Sequence, residues 1–443
     1  MKKVLFCLLF LAGFRLCAQT ITLEQVRVLA LANSRNLAQV NLTLRSSLLD
    51  EKSHFYSMLP NVSAGYSASM NYLRNWNFLN PVDTFQAGIN LEITQTIFNG
   101  GRSLIQKAIS EISTESVRKS ALSEYFNTLD SADNAYYAVL EAAATLEAEE
   151  SSLQTAISSL TIAEIRQSSG MINPGDYLRA LADRESRENS RNQARRNLSL
   201  NIMKLRAITG LEELPGLEAI DLSGYEDLIL HLGSISDEDA DALHERFWNV
   251  LAGANPSLAR SALNRQRAEK NLSIAKRDYI PSISASVFST SLGYSVANGF
   301  GTTSAGGISL RGSIPLDFWI MSNRIEKSKI ALESASLDYI SAEIQLETDL
   351  HSALINTFAQ SGSVLSSRRS LEYAEKHFEY VSERYRLLQS SVADLTDAST
   401  MLINSRNSHI RAQYGFLQSL SRLRYLGAID DEARLVKILF GDI

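Results

Sequence analysis

Apolar and polar positions follow two different rhythms along this chain, and each rhythm occurs twice. Val62, Ala64, Tyr66, Ala68, Met70 and Tyr72 alternate with Ser63, Gly65, Ser67, Ser69 and Asn71. A period of two describes a strand with one apolar and one polar face. Ala87, Ile89, Leu91 and Ile93 alternate in the same way with Asn90, Glu92 and Thr94, and the stretch from Arg74 to Gln86 carries the Asn, Pro and Asp of a hairpin loop. The second half repeats the pattern from Ile283 to Tyr294, with a slip of phase at Val287-Phe288 that suggests a bulge, and again through Ile308, Leu310, Gly312 and Ile314. Strands are predicted over 61–73, 86–98, 282–294 and 304–316, long enough to cross a bilayer when tilted.

The other rhythm is helical. No Gly or Pro occurs from Arg102 to Ser169, from Asp176 to Thr209 or from Ser363 to Tyr414, and Pro315 is the last proline. The first stretch, 68 residues, would extend roughly 100 Å at about 1.5 Å per residue. Tyr125, Ala132, Val139, Leu146, Leu153 and Leu160 recur every seven positions, as do Leu350, Val364, Leu371, Phe378 and Tyr385 with one polar gap. That spacing winds helices together as coiled coils. Long helices are predicted over 102–169, 175–206, 322–390 and 394–424.

The two halves are related. Leu59-Pro60-Asn61-Val62-Ser63-Ala64 matches Ile280-Pro281-Ser282-Ile283-Ser284-Ala285 at an offset of 221, and the same offset places Gly170 on Ser391 and Asp176 on Asp397. A duplicated unit is predicted, with one structural repeat over 19–235 and a second over 236–443. The fold class is mixed: long antiparallel coiled-coil helices and four transmembrane-length β-strands per chain.

Composition narrows what such a chain does. Its 43 Lys and Arg against 49 Asp and Glu give a net charge of -6, which offers nothing to hold a phosphate backbone, so nucleic-acid binding is excluded. Both cysteines, Cys7 and Cys17, lie in an opening segment where Lys2 and Lys3 precede an apolar run and Ala18 follows. This is the order of a signal peptide over 1–18, and cleavage there leaves a mature chain without cysteine. The alternative is lipid attachment at Cys17. No later run of 18 apolar residues occurs to form a membrane helix.

Catalytic chemistry is not visible. The histidines at 54, 231, 244, 351, 377 and 409 have no metal-ligand spacing, and neither a P-loop nor a Gly-x-Ser-x-Gly elbow is present. No enzyme activity, cofactor or metal is expected. Arg179, Arg184, Arg187, Arg191, Arg195 and Arg196 are interspersed with acids, which allows helix pairs such as Asp183 with Arg187 and Arg184 with Glu188. Trp76 and Trp319 suit a membrane-interface belt.

Four strands cannot close a barrel in lipid, where every backbone group must be paired. Other copies must supply the rest: three would give twelve strands and two would give eight. A face of Ser, Gly, Asn and Thr suits a water-filled passage. The alternative is a periplasmic coiled-coil scaffold with soluble strands and no pore.

A resemblance joins these features. The opening Ile21-Thr22-Leu23-Glu24-Gln25 and Ala30-Leu31-Ala32-Asn33-Ser34, Leu59-Pro60 before the first strand, Gln95-Thr96-Ile97-Phe98-Asn99-Gly100-Gly101-Arg102 entering the long helix, and Gly170 with Asp176 at the far turn resemble the TolC-type outer-membrane efflux and secretion channels. The second half departs where Phe318-Trp319-Ile320-Met321 stands in place of a Phe-Asn-Gly-Gly turn. The resemblance implies a homotrimer in outer-membrane lipid whose twelve-stranded barrel continues into a helical tube in the periplasm. Such a duct passively serves an inner-membrane pump or a type I secretion system through a periplasmic adaptor. Docking is then expected at the tips, Gly170, Met171, Ile172 and Asn173 with Ser391, Val392, Ala393 and Asp394. Asp176 and Asp397, at the starts of the returning helices, are expected as caps or, ringed by symmetry, as an anionic gate.

Overall fold

The computed structural model describes residues 20–73, 82–235, 237–295, 299–301 and 305–440. Residues 1–18, expected as a signal peptide and carrying Cys7 and Cys17, lie outside them, as do residues 74–81 of the expected hairpin loop with Trp76. In chain order the elements are α1 (Leu23–Asn33), α2 (Arg35–Tyr56), β1 (Asn61–Leu73), β2 (Val82–Phe98), α3 (Arg102–Ser168), α4 (Pro174–Thr209), α5 (Glu226–Gly233), α6 (Asp237–Leu251) and α7 (Pro256–Arg277). They continue through β3 (Ser282–Ser295), β4 (Gly299–Gly301), β5 (Ala305–Ser313), α8 (Phe318–Arg386), α9 (Val392–Leu426) and α10 (Glu432–Phe440).

Packing divides the chain into two compact units, each drawing segments from both halves of the sequence. One comprises 1–38, 122–256 and 344–443, and the other 39–121 and 257–343. The first is helical. Phe247, Leu205, Leu354, Phe416, Leu423 and Leu435 anchor its core, each fully buried, and burial of such a side chain contributes about 1.5–3 kcal/mol. The heptad positions Ala132, Val139, Leu350, Val364 and Tyr385 are all buried, and Thr357 fills the polar gap by turning its hydroxyl back to the Ala353 carbonyl at 2.8 Å.

The same unit encloses a charged network. Asp133 on α3 is wholly buried and accepts hydrogen bonds from Arg27 Nε and Nη2, both at 2.7 Å, and from the hydroxyls of Ser421 and Tyr425, both at 2.9 Å. Burial opposes the charge on Arg27, but the hydrogen bonds and attraction of Asp133 outweigh it and hold the guanidinium's pKa above the usual arginine range. Three helices, α1, α3 and α9, are thereby tied through one carboxylate.

The second unit holds the sheet. All its pairings are antiparallel: β1 with β2, β2 with β3, and β3 with both β4 and β5. The strand expected over 304–316 is described as β5 alone, Ala305–Ser313, with β4 preceding it, and Ile314 to Leu316 lie past its end. The bulge expected at Val287-Phe288 is absent there, because Val287 pairs with Ile308 and Phe288 with Gly307 in regular register. The register instead shifts between Gly88 and Ile89, opposite Gly293 and Ser291, and between Thr96 and Phe98. Phe288 holds its place because it faces a glycine: a Cβ on Gly307 would lie 2.9 Å from its ring.

At the exit of β2, Gly100 and Gly101 take φ of 67° and 76°, conformations in which a side chain is strained. Arg277 closes on this turn, donating to the Gly100 carbonyl at 2.8 Å. Asp278 beside it accepts from Arg102 at 3.0 Å and Arg324 at 2.5 Å, which joins the first turn of α3 to the second turn of α8. No such glycine turn recurs before α8. That helix begins four residues earlier than the sequence suggested, with Phe318-Trp319-Ile320-Met321 in its first turn, the Ile320 and Met321 N–H groups bonded to the Asp317 carbonyl and Met321 buried.

Candidate functional site

Two helical hairpin tips, α3–α4 and α8–α9, come together in the helical unit. At the first, Gly170 turns left-handed (φ 70°), its N–H bonds the Gln167 carbonyl at 2.9 Å, and the Met171 N–H bonds that of Arg166 at 2.8 Å. This closes the end of α3. Asn173 then caps α4, accepting from the Asp176 N–H at 2.9 Å, and Pro174 follows where a helix has no use for an N–H.

The second tip repeats these contacts with different residues. Leu388 (φ 63°) replaces Gly170, the Gln389 N–H bonds the Arg384 carbonyl at 2.8 Å, and Ser391 caps α9. Asp394 completes a reciprocal box, giving its N–H to the Ser391 hydroxyl at 3.1 Å and accepting the Ser391 N–H at 2.9 Å. The Ser391 N–H and hydroxyl, with the Ser390 hydroxyl, hold its carboxyl below the ordinary aspartate pKa.

Gly170 therefore corresponds to Leu388, Asn173 to Ser391 and Asp176 to Asp394, an offset of 218. The offset of 221 holds only at the start of the sheet, because the second hairpin and helix differ in length from the first. This corrects the reading of both aspartates. Asp176 is not a cap but the third helical residue, accepting from the Asn173 amide at 2.9 Å. Asp397 is six residues beyond the Ser391 cap, exposed and paired with Arg179 of α4 at 3.1 Å.

The hairpins are clasped by a residue with no motif to announce it. Arg166 is only 8% exposed, donates from Nη2 to the Tyr385 carbonyl at 2.6 Å, and lies 4.1 Å from the centroid of the Tyr385 ring. Tyr385 is buried, which raises its hydroxyl pKa; Arg166 opposes that shift and Asp176 adds to it. Arg187 adds a second link, holding Thr400 of α9 at 2.6 Å while pairing with Asp183 at 3.2 Å. The expected pair of Arg184 with Glu188 is present at 3.0 Å.

Of the eight expected tip residues, Val392 is buried against Val381, Tyr385 and Leu395, and Ile172 packs on the same cluster, so neither offers an open surface. Met171 does, and so do Leu387 and Leu388, outside the eight expected positions. A left-handed leucine costs about 1–2 kcal/mol. Leu388→Gly is accordingly expected to leave stability unchanged or raise it by up to about 1 kcal/mol once the freedom of glycine in the unfolded chain is deducted, as read by a thermal melt.

Elsewhere His244 and His351 meet edge to face at 4.9 Å across α6 and α8, a contact their sequence spacing does not show. Among the described residues no three His, Cys, Asp or Glu side chains gather in a metal-binding group, and no helix is long and apolar enough to cross a membrane.

The sheet unit carries a second set of candidate functional residues. Val62, Ile93, Val287 and Ile308 form one row across β1, β2, β3 and β5 and are 68, 46, 50 and 82% exposed. The opposite face carries Ser63, Glu92, Thr94, Thr96, Ser286 and Ser309. An exposed apolar face of this extent marks a surface that meets lipid or a partner, and strands polar on one side and apolar on the other are those of a membrane barrel. With long helices closing in two tips, these features define an outer-membrane channel subunit. Residues 26–211 and 249–427 match the outer membrane efflux protein family, and the chain belongs to it. Members of that family are channels of the outer membrane and not enzymes.

Similar proteins agree. The outer membrane protein TolC of Salmonella enteritidis is 22% identical over 457 residues, covering 98% of this chain and 87% of its own. That of Escherichia coli (strain K12) is 22% identical over 461 residues, covering 98% and 88%. Among solved structures, the Campylobacter jejuni CmeC outer membrane channel superposes with a TM-score of 0.77 at 15% identity over 94% of this chain and 88% of that one. VceC of Vibrio cholerae does so with a TM-score of 0.75 at 15% identity over 92% and 97%.

Proposed function

We propose that three copies of this chain close a twelve-stranded barrel and act as the passive exit duct of a tripartite efflux pump or a type I secretion system. The row Val62, Ile93, Val287 and Ile308 carries this reading: the apolar face needs lipid, and the outer edges of β1 and β5, unpaired among the described residues, need strands from further copies. The duplicated halves, 19–235 and 236–443, account for two hairpins and two helical tips per copy. A periplasmic adaptor and an inner-membrane transporter supply cargo and energy, and the adaptor docks on the exposed apolar residues Met171, Leu387 and Leu388 with Gly170, Asn173 and Ser391 around them.

Asp176 and Asp397 form the gate in this reading. Three copies of each make an anionic ring at the narrow end, which holds cations as acidic rings do in cation channels. The Arg179 pair with Asp397 offsets part of that charge. Asp176→Asn with Asp397→Asn is expected to leave trimers intact, lower cation preference in planar bilayers and weaken block by multivalent cations added from the periplasmic side. Unchanged conductance, ion preference and block with a lower melting temperature would assign both residues to holding the helices alone.

A further inference from the structure

We propose that the polar face of the sheet carries a recognition rung for organic cations, formed by Glu92 and Phe288; the proposal rests on the reading that this face lines the channel. The register places the two side by side. Glu92 of β2 pairs with Phe288 of β3, Ser63 and Gly307 flank them in the same row, and all four point to the face opposite Val62, Ile93, Val287 and Ile308. The rows beside it are hydroxylic: Thr94 and Ser286 pair across β2 and β3, and Ser286 bonds Ser309 Oγ to Oγ at 2.7 Å.

Phe288 is thus an aromatic ring on a face otherwise built for water. It leans over Gly307, where any side chain would collide with it, yet it remains 41% exposed. Glu92 is exposed, and one carboxylate oxygen accepts from the Thr94 hydroxyl of the adjacent row at 3.2 Å, which fixes the carboxylate on this face in the register position paired with Phe288. A carboxylate beside an aromatic face suits an alkylammonium, since the ring attracts a cation within about 6 Å and tolerates its alkyl shell. A simple hydrated metal ion gains less from that ring. Arg311, the cation of the same face among the described residues, pairs with Ser284, four residues along β3 and so roughly 13 Å away. Its charge is set apart from the rung, and three copies in the assembly give three such rungs at one level. The chemical class is therefore cargo that joins a positive charge to apolar or aromatic groups.

A purely structural role for Phe288, covering the glycine of the neighbouring strand, is separable by experiment. Purified full-length channels would be reconstituted in planar bilayers and titrated with benzyltrimethylammonium, with neutral benzyl alcohol as the control. Phe288→Leu keeps an apolar cover over Gly307 and removes the ring; it is expected to raise the half-blocking concentration about two- to fivefold. Glu92→Gln should raise it as well, while Phe288→Tyr should leave it at the wild-type value, and benzyl alcohol should have no effect on any of them. A conducting wild-type channel that is not blocked, or block unchanged in both Phe288→Leu and Glu92→Gln, would overturn the rung and leave the channel standing. Absence of any conductance from the wild-type protein would overturn the channel reading and the rung with it.

Discussion

Asp133→Ala should cost about 3–5 kcal/mol and unfold the helical unit well below the wild-type temperature, because it leaves the buried Arg27 guanidinium with only the exposed Glu24 for a charged partner. The carboxylate it removes is wholly buried and holds four donors from Arg27, Ser421 and Tyr425. The pair as a whole is less valuable than either half alone implies. Removing both charges together, with Arg27→Met and Asp133→Leu, is expected to recover most of the loss. Denaturant melts of the single and double variants measure this, and a loss under about 1 kcal/mol for Asp133→Ala would show that α1, α3 and α9 hold together without the network.

The second large effect belongs to the sheet. Arginine at Ile89 or Leu91, both exposed on the apolar face, should cost about 2–4 kcal/mol near the centre of a bilayer and sharply reduce trimers recovered from outer membranes. The same arginine at Thr96, on the opposite face, should leave assembly near the wild-type level. Equal loss from both faces would mean that neither meets lipid.

These contrasts also show which parts of the molecule could be read from the sequence. Alternation with a period of two gave the strands their faces, since a side chain in a strand has only two directions to point, and the absence of Gly and Pro marked the long helices. The tips were harder. Alignment on Asp397 assumed that an offset established at Pro60 and Pro281 persists along the chain, but a shorter hairpin and a longer helix shift it, and only the backbone shows that Leu388 adopts the conformation of Gly170. Arg166 binds a main-chain carbonyl and a ring face, partners that leave no pattern of residue types. Phe288 breaks the alternation because a bulky ring on a polar face is unusual; the glycine that makes room for it lies on another strand, 19 positions away.

The central claim, that identical copies complete the barrel through the edges of β1 and β5, is tested most directly by cysteine cross-linking. Cys7 and Cys17 are the only native cysteines, so introduced pairs are read against the chain carrying those two alone. Ile308→Cys on β5 would be combined in turn with cysteine at Val62, Ala64, Tyr66 and Ala68 of β1, and outer membranes oxidised and run on denaturing gels. At one or two neighbouring β1 positions the bands should run to dimer and trimer and stop there, since a closed ring of three has no free edge. Monomers at every position, or a ladder continuing past the trimer, would contradict the account.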